Sequence, residues 1–205
     1  MNTREKIIDE ALSLFSQKGY GDVYVSEIAE AVGIKAPSLY KHFKGKQEIF
    51  DALIEEIRNR YESQASSIGI DGSDPNADAD VYKEISEDSL IKIGTGLFLY
   101  FLHDSYMSRF RKMLTLEQFK NPELSSIYTK QFFTDPIEYQ SALFMMLVSA
   151  GKLRKCDPKI MALEFYSPIY LLLTVCDRDP KMEKTALKTL EEHIKQFNIN
   201  YGVTK

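Results

Sequence analysis

The sequence predicts an all-α protein. Apolar residues recur three or four positions apart along most of the chain, which is the period of one face of a helix. Asn or Asp followed by Pro marks four helix starts, because the first side chain caps a helix and proline fits its first turn. No stretch alternates apolar and polar residues in the manner of a half-buried strand. These observations favour helices throughout.

The N-terminus is predicted to form an amphipathic helix. Asn2 or Thr3 is the expected N-cap, and Gly19 stands just past the expected end. Its buried stripe consists of Ile7, Ile8, Ala11, Leu12 and Phe15. We expect this helix to support the segment that follows.

A helix-turn-helix is predicted within residues 26–50. Gly33 can adopt the left-handed conformation that ends a helix, and Pro37 fits the first turn of the next one. Leu39 and Phe43 stand four positions apart, so the second helix, expected over residues 36–43, has one buried face. Ser26 is the expected cap of the first helix of the pair. The first helix places Ile28, Ala29 and Val32 on its apolar face.

The same segment is locally basic. Between Ala31 and Gln47 there is no Asp or Glu, and the segment holds Lys35, Lys41, His42, Lys44 and Lys46. Residues 1–46 carry seven basic and six acidic side chains, so the positive charge is confined to this stretch. Such local potential suits phosphate binding. A solvated lysine face on an ordinary helical hairpin explains the charges equally well.

These residues resemble the N-terminal signature of the TetR family of transcriptional regulators. The resemblance rests on Ile28-Ala29, Gly33, Leu39-Tyr40-Lys41-His42-Phe43, Lys46 and Ile49-Phe50, and it covers about the first quarter of the chain. It implies an all-helical homodimer that binds palindromic double-stranded operator DNA and is released by a small effector. Repression is the expected outcome of binding, although these residues do not fix the sign of regulation.

The expected DNA contacts fall into two groups. Ala36, Pro37, Ser38 and Lys41 are expected to face base edges, and Lys41 can reach guanine acceptors. The resemblance assigns phosphate contacts to residues that it matches, and nearby polar side chains extend the set. The phosphate set is Tyr40, His42 and Lys46, with Lys35, Lys44 and the Ser26 hydroxyl as additions.

The remainder of the chain has the opposite charge. The protein has 205 residues, 44% of them hydrophobic, and a net charge of −4, and residues 47–205 account for −5. Such a body would repel DNA except at its basic tip. We therefore predict a DNA-binding domain at residues 1–46 and a larger helical domain for ligand binding and dimerisation at residues 47–205.

The larger domain is predicted to be helical apart from one acidic loop. A long helix follows Gly45, residues 69–80 are the expected loop, and residues 81–103 are expected to form one helix. Further helices are predicted near 105–118, 122–133, 136–151, 158–177 and 180–198.

Aromatic residues concentrate between Phe98 and Phe144, where eleven of the 24 Phe and Tyr residues lie. Such clusters are often solid core, but the family resemblance favours a cavity for a flat or hydrophobic effector. The sequence leaves both readings open. The expected ligand-binding residues are Phe98, Phe101, His103, Tyr106, Phe110, Met113, Tyr128, Phe132, Tyr139 and Met146.

The last two helices carry more apolar surface than one protomer face needs. A homodimer seam is one interpretation, because one short recognition helix contacts too few bases to find a site in a genome. An intramolecular core is the alternative. The residues concerned are Phe165, Ile169, Leu172, Leu173, Leu187, Leu190 and Ile194.

Other function classes receive little support. Cys156 and Cys176 are isolated and form no CxxC pair. Asp74, Asn76, Asp78 and Asp80 have the spacing of calcium ligands, but Ala79 and Ile85 replace the glycine and glutamate of an EF-hand loop, so no metal site and no cofactor are expected. The sequence lacks the common catalytic motifs, so an enzyme is not expected. The longest apolar runs, at residues 97–102 and 142–148, are too short to span a bilayer, and a cytoplasmic protein is expected. The remaining alternative is a helical small-molecule-binding or interaction module that does not bind DNA.

Overall fold

The structure, a computed structural model, describes residues 2–203, and this part of the chain is helical with one isolated β-bridge between Leu153 and Gly202. Residues 1, 204 and 205, which the predicted domains include, lie outside it. The α-helices are α1 (Thr3–Lys18), α2 (Val25–Val32), α3 (Ala36–Leu39), α4 (Lys46–Ser67), α5 (Pro75–Glu84), α6 (Glu87–His103), α7 (Ser105–Glu117), α8 (Pro122–Thr129), α9 (Asp135–Ser149), α10 (Pro158–Arg178) and α11 (Glu183–Tyr201). The all-α prediction is confirmed.

The chain packs as two compact units. The first unit comprises the described residues up to Tyr61 together with Ser105–Thr129, and the second comprises Glu62–Asp104 and the described residues from Lys130 onward. This division follows packing and places α7 and α8 with the N-terminal helices. The predicted boundary between residues 46 and 47 separates the chain by function and not by packing, and it stays a prediction.

Helix α1 has the predicted ends. The Asn2 side chain accepts the Glu5 amide at 3.0 Å, and the Glu5 carboxylate accepts the Asn2 amide at 2.9 Å, which is a capping box. Gly19 ends the helix with φ of 91°. All five residues of the predicted apolar stripe are buried.

The helix-turn-helix is present, with two differences from the prediction. Helix α2 begins at Val25, so Ser26 lies in its first turn and is not its cap; the Glu27 carboxylate accepts the Tyr24 amide at 2.8 Å instead. Gly33 is left-handed as predicted, with φ of 78°. Helix α3 is one turn long and ends at Leu39, where we predicted it to reach residue 43. After Leu39 the backbone forms a tighter, 3₁₀-like turn, in which the amide of His42 donates to the carbonyl of Leu39.

The predicted acidic loop is wrong in its second half. Helix α5 begins at Pro75, and the Asp74 carboxylate caps it by accepting the Asn76 amide at 2.9 Å. The first half is held by Asp78, which is buried and accepts the amides of Asp71 and Gly72 at 2.7 and 2.8 Å. Its carboxylate therefore stabilises a turn.

The helix predicted over residues 81–103 is interrupted. Ile85 is extended, and the Ser86 hydroxyl caps the new helix α6 by accepting the Ser89 amide. The helices predicted from residue 105 onward are confirmed to within a few residues. Two short segments differ in hydrogen bonding, namely a π-helix at Lys130–Thr134 and a 3₁₀ turn at Pro180–Met182.

Two apolar clusters form the core of the second unit. One joins α6, α10 and α11 through Phe98, Leu173, Cys176, Ala186, Leu190 and Ile194. The other joins α5, α9, α10 and α11 through Ala79, Leu143, Phe144, Leu147, Met161, Ala162 and Phe197. Each buried Leu or Phe contributes about 1.5–3 kcal/mol to folding.

Among the described residues, one helix, α10, is long and apolar enough to cross a membrane by length and composition alone. Only 22% of its most apolar 18-residue window is buried. Most of this window is therefore not fully buried within the single chain. Helix α10 was predicted as a helix, but not as one apolar enough to cross a membrane. Ser167, Pro168 and Thr174 interrupt its apolar residues, so it contains no long uninterrupted apolar run.

Candidate nucleic-acid interface

The frame of the candidate interface is an apolar contact between short helices. Ile28 of α2 and Leu39 of α3 are fully buried, and Phe43 is 1% exposed. Burying these side chains fixes which side of α3 and of its following turn faces outward. The predicted inward positions are thereby confirmed.

Most of the predicted DNA-binding side chains lie on the outward side of this frame. The exposed members are Ser26, Lys35, Pro37, Tyr40, Lys41, His42 and Lys44, whereas Ala36, Ser38 and Lys46 are partly buried. Tyr40 is 54% exposed. We call residues 35–44 the basic turn. It presents cations and hydroxyl groups on a rigid support.

Acidic side chains beside the basic turn are engaged with neighbouring groups. The Glu48 carboxylate accepts the backbone amide of Lys44 at 2.5 Å. Glu27 pairs with Lys18 at 2.6 Å, and the hydrogen bond from Lys18, followed by that from the Tyr24 amide, lowers the pKa of the Glu27 carboxyl. Neither carboxylate pairs with the ammonium groups of Lys35, Lys41 or Lys44 in the ion pairs of the described residues.

Lys46 is placed differently from the other predicted phosphate ligands. Its ammonium group donates to the carbonyls of Tyr20 and Val23 at 2.7 and 2.9 Å, and lies 4.4 Å from the centroid of the Tyr20 ring. Burial lowers the pKa of this amino group, and the nearby Glu117 carboxylate opposes that shift. In the free chain, Lys46 therefore holds the loop between α1 and α2. Its contact with phosphate stays a prediction.

Arg4 is a candidate that the sequence argument missed. Its guanidinium carbon lies 4.9 Å from the centroid of the Phe43 ring, so it adds a positive charge at the base of the basic turn. Nothing in the sequence links residues 4 and 43. A guanidinium stacked on an aromatic face is a known pairing, but the fold is needed to show which ring it meets.

The predicted ligand-binding residues are not gathered into one cluster within either unit. In the first unit, Tyr106, Phe110, Met113 and Tyr128 are buried. In the second unit, Phe98 and Phe101 belong to the α6–α10–α11 cluster, and Tyr139 and Met146 pack on the α5–α9–α10–α11 cluster. The Phe132 ring lies 6.0 Å from that of Tyr170. His103 is exposed and its Nε2 lies 3.1 Å from Glu183.

Among the described residues, two of the surface grooves lie in the second unit. One is lined by residues of 62–73, and the other by residues of α9 together with Asp157, Pro158 and Lys159. None of the ten predicted ligand-binding residues lines either groove. The ligand assignment therefore stays a prediction.

The predicted dimer residues all take part in packing within the protomer. Leu173, Leu190 and Ile194 are buried in the α6–α10–α11 cluster. Phe165, Ile169, Leu172 and Leu187 pack against it and are partly buried. The apolar side chains of α10 that are most exposed are Ile160, Leu163 and Leu171, at 50, 51 and 60%. These three were not in the predicted set.

Comparison with known proteins identifies the N-terminal domain. The sequence profile of bacterial regulatory proteins of the tetR family matches residues 7–53, which contain α1, the helix-turn-helix and the start of α4. Residues 7–53 are therefore similar to the DNA-binding domain of the TetR family. The resemblance predicted from the signature residues is confirmed.

Two similar regulator sequences match the same region. The biofilm operon icaADBC HTH-type negative transcriptional regulator IcaR of Staphylococcus epidermidis is 41% identical over 58 residues, which are 28% of this chain and 31% of that protein. IcaR of Staphylococcus aureus strain Newman is 45% identical over 51 residues, which are 25% of this chain and 27% of that protein. The match thus spans less than a third of the relatives' length.

Solved structures extend the likeness to the whole fold. A transcriptional regulator of the TetR family from Mesorhizobium loti superposes with a TM-score of 0.71 at 18% identity, covering 98% of this chain and 97% of that one. SmeT, the repressor of the Stenotrophomonas maltophilia multidrug efflux pump SmeDEF, gives 0.67 at 19% identity, covering 99% and 92%. The helical C-terminal part therefore has the TetR fold.

Proposed function

We propose that this TetR-family chain is a cytoplasmic DNA-binding transcriptional regulator that acts as a repressor. The observation that supports this best is the basic turn, an exposed set of lysines held on a buried helix-turn-helix frame. Ala36, Pro37, Ser38 and Lys41 read bases, and Tyr40, His42, Lys35, Lys44 and Ser26 contact phosphates. Repression is favoured because IcaR, similar in this region, is a negative regulator. TetR-family regulators are transcription factors and not enzymes.

The regulator acts as a homodimer that joins through α10 and α11. Ile160, Leu163 and Leu171 recur along the exposed side of α10, with Ser167 between them. A second copy would remove this apolar surface from water, which is the main driving force for association. The partly buried members of the predicted set, such as Phe165 and Ile169, border the same seam. Two-fold symmetry then suits a palindromic operator.

A small hydrophobic or aromatic effector binds the helical domain and releases the DNA. The aromatic residues between Phe98 and Phe144 support this class of ligand. Among proteins of the same fold, SmeT forms a complex with triclosan, and FrrA is a flavonoid-responsive regulator. An effector shifts DNA affinity only by its differential affinity for the two states of the protein.

DNA titration at several salt concentrations tests the proposed function. The probe is the duplex upstream of the protein's own gene, and a shuffled duplex of equal length and composition is the control. We expect the association constant for the upstream duplex to fall steeply with salt, by about 0.9 logarithmic units per phosphate contact. Equal and weak affinity for both duplexes would contradict the proposal and would leave a helical ligand-binding or interaction module.

A further inference from the structure

Glu117 is a buried carboxylate outside the helix-turn-helix. It is the last residue of α7 and is 2% exposed. A carboxylate at a helix C-terminus is unfavourable both by burial and by the helix dipole. Such a position requires compensating contacts, and the first unit supplies them in the loop between α1 and α2.

The carboxylate of Glu117 closes on that loop. Its Oε1 accepts the amide of Gly21 at 3.3 Å. A Cβ atom placed on Gly19 would lie 2.4 Å from the same oxygen, so the carboxylate occupies the space that a side chain at this position would need. Gly19 also has φ of 91°, which disfavours any other residue. The Glu117 side chain therefore packs closely against Gly19 and Gly21.

Lys46 binds backbone carbonyl groups of the same loop, whereas Glu117 binds a backbone amide. The carbonyls are those of Tyr20 and Val23, and the amide is that of Gly21. Val25 comes directly after this loop and is the first residue of α2. The course of residues 19–24 thus sets where α2 starts, and α2 packs on α3.

We infer that Glu117 is a positioning residue for DNA binding, which acts through the Gly21 amide on the loop that leads into α2. This inference rests on the proposed function. The role requires an acceptor oxygen at the reach of a glutamate side chain, and it does not require contact with DNA. Arg109 gives α7 a second anchor in the same unit, since its guanidinium lies 2.6 Å from the Asp9 carboxylate of α1.

Two substitutions separate the effect of side-chain length at position 117 from the effect of its negative charge. Glu117→Gln keeps an acceptor at the same distance and removes the charge, whereas Glu117→Asp keeps the charge and withdraws it by one methylene. Glu55→Gln, at an exposed position of α4, controls for the loss of one negative charge. General electrostatics predicts that removing negative charge strengthens DNA binding.

We expect Glu117→Asp to weaken binding to the upstream duplex about tenfold, because the partly buried amide of Gly21 is left without its acceptor. Glu117→Gln should bind within about threefold of the wild type, and the salt slope should be the same in both, because no phosphate contact is lost. Wild-type affinity for Glu117→Asp, or a reduced slope in either variant, would overturn the inference. Thermal melts of each variant establish that it is folded.

Amide hydrogen exchange of Gly21, measured without DNA, makes the result independent of the proposed function. Faster exchange in Glu117→Asp than in Glu117→Gln supports the loop anchor, and equal exchange in both overturns it. If the wild-type protein binds no DNA, the proposed function fails and the exchange measurement alone decides whether Glu117 orders the loop.

Discussion

The guanidinium of Arg4 lies 4.9 Å from the centre of the Phe43 ring, which brings the first turn of α1 to the turn that follows α3. Phe43 is buried, so its ring offers only a small accessible area, and Arg4 covers it. The cation therefore lies beside the turn that carries Lys41, His42 and Lys44 in the chain. The positive charge near α3 therefore extends beyond the basic turn to the first turn of α1.

Replacing Arg4 tests whether this cation meets a phosphate. We expect Arg4→Ala to weaken binding to all duplexes alike and to reduce the salt slope by about 0.9 units for each lost contact. Lys6→Ala is the control, because it also removes one positive charge from an exposed position of α1. Identical slopes for the two variants would show that only net charge matters.

Lys41 is expected to act on sequence preference. Lys41→Ala should relax discrimination at one base position by about 1–3 kcal/mol while the affinity for shuffled DNA changes little. Competition against single-base variants of the operator measures this. A loss of affinity that is uniform across all base positions would assign Lys41 to the phosphate backbone instead.

Lys46 is expected to contribute to folding as well as to any DNA contact. Lys46→Ala removes two hydrogen bonds of 2.7 and 2.9 Å to loop carbonyls, each worth about 0.5–1.5 kcal/mol or more for a charged donor. The melting temperature should fall by about 2–4 °C per kcal/mol lost. Lys44→Ala, at an exposed position, is the matched control and should melt with the wild type. Equal melting of both variants would remove the loop role of Lys46.

The exposed apolar side of α10 is expected to hold the dimer. Leu171→Glu places a charge in the proposed seam, and sedimentation velocity should then show a monomer because an unpaired charge is costly to bury. Met145→Glu changes an apolar residue of α9 that is 54% exposed and should leave the dimer intact. A dimer that survives Leu171→Glu would place the seam elsewhere.

Helix positions were largely predictable because capping is local. Asn2, Gly19 and Gly33 do in the structure what their types predict. The same logic applied to Asp74-Pro75 would have given the start of α5, since it repeats the Asp-Pro pattern of the later helices. The error at residues 69–80 arose because the density of Asp and Gly favoured a loop over the capping signal.

Contacts between distant residues were not predictable. Glu117 meets Gly21 across 96 positions, and no sequence period links them. The exposed side of α10 was missed for another reason: two sides of this helix carry apolar residues, and only packing shows that Leu173 faces inward while Leu171 faces out. The lysines of the basic turn were found because they lie within ten positions of one another in the chain.

Hydroxyl-radical footprinting of the upstream duplex tests the central claim most directly, which is that two copies of the basic turn enter successive major grooves. The account predicts two protected clusters related by two-fold symmetry, with centres about 34–36 Å apart, which is one turn of the duplex. It also predicts that both clusters are lost together in Leu171→Glu. A single protected cluster, or uniform protection along the duplex, would contradict it.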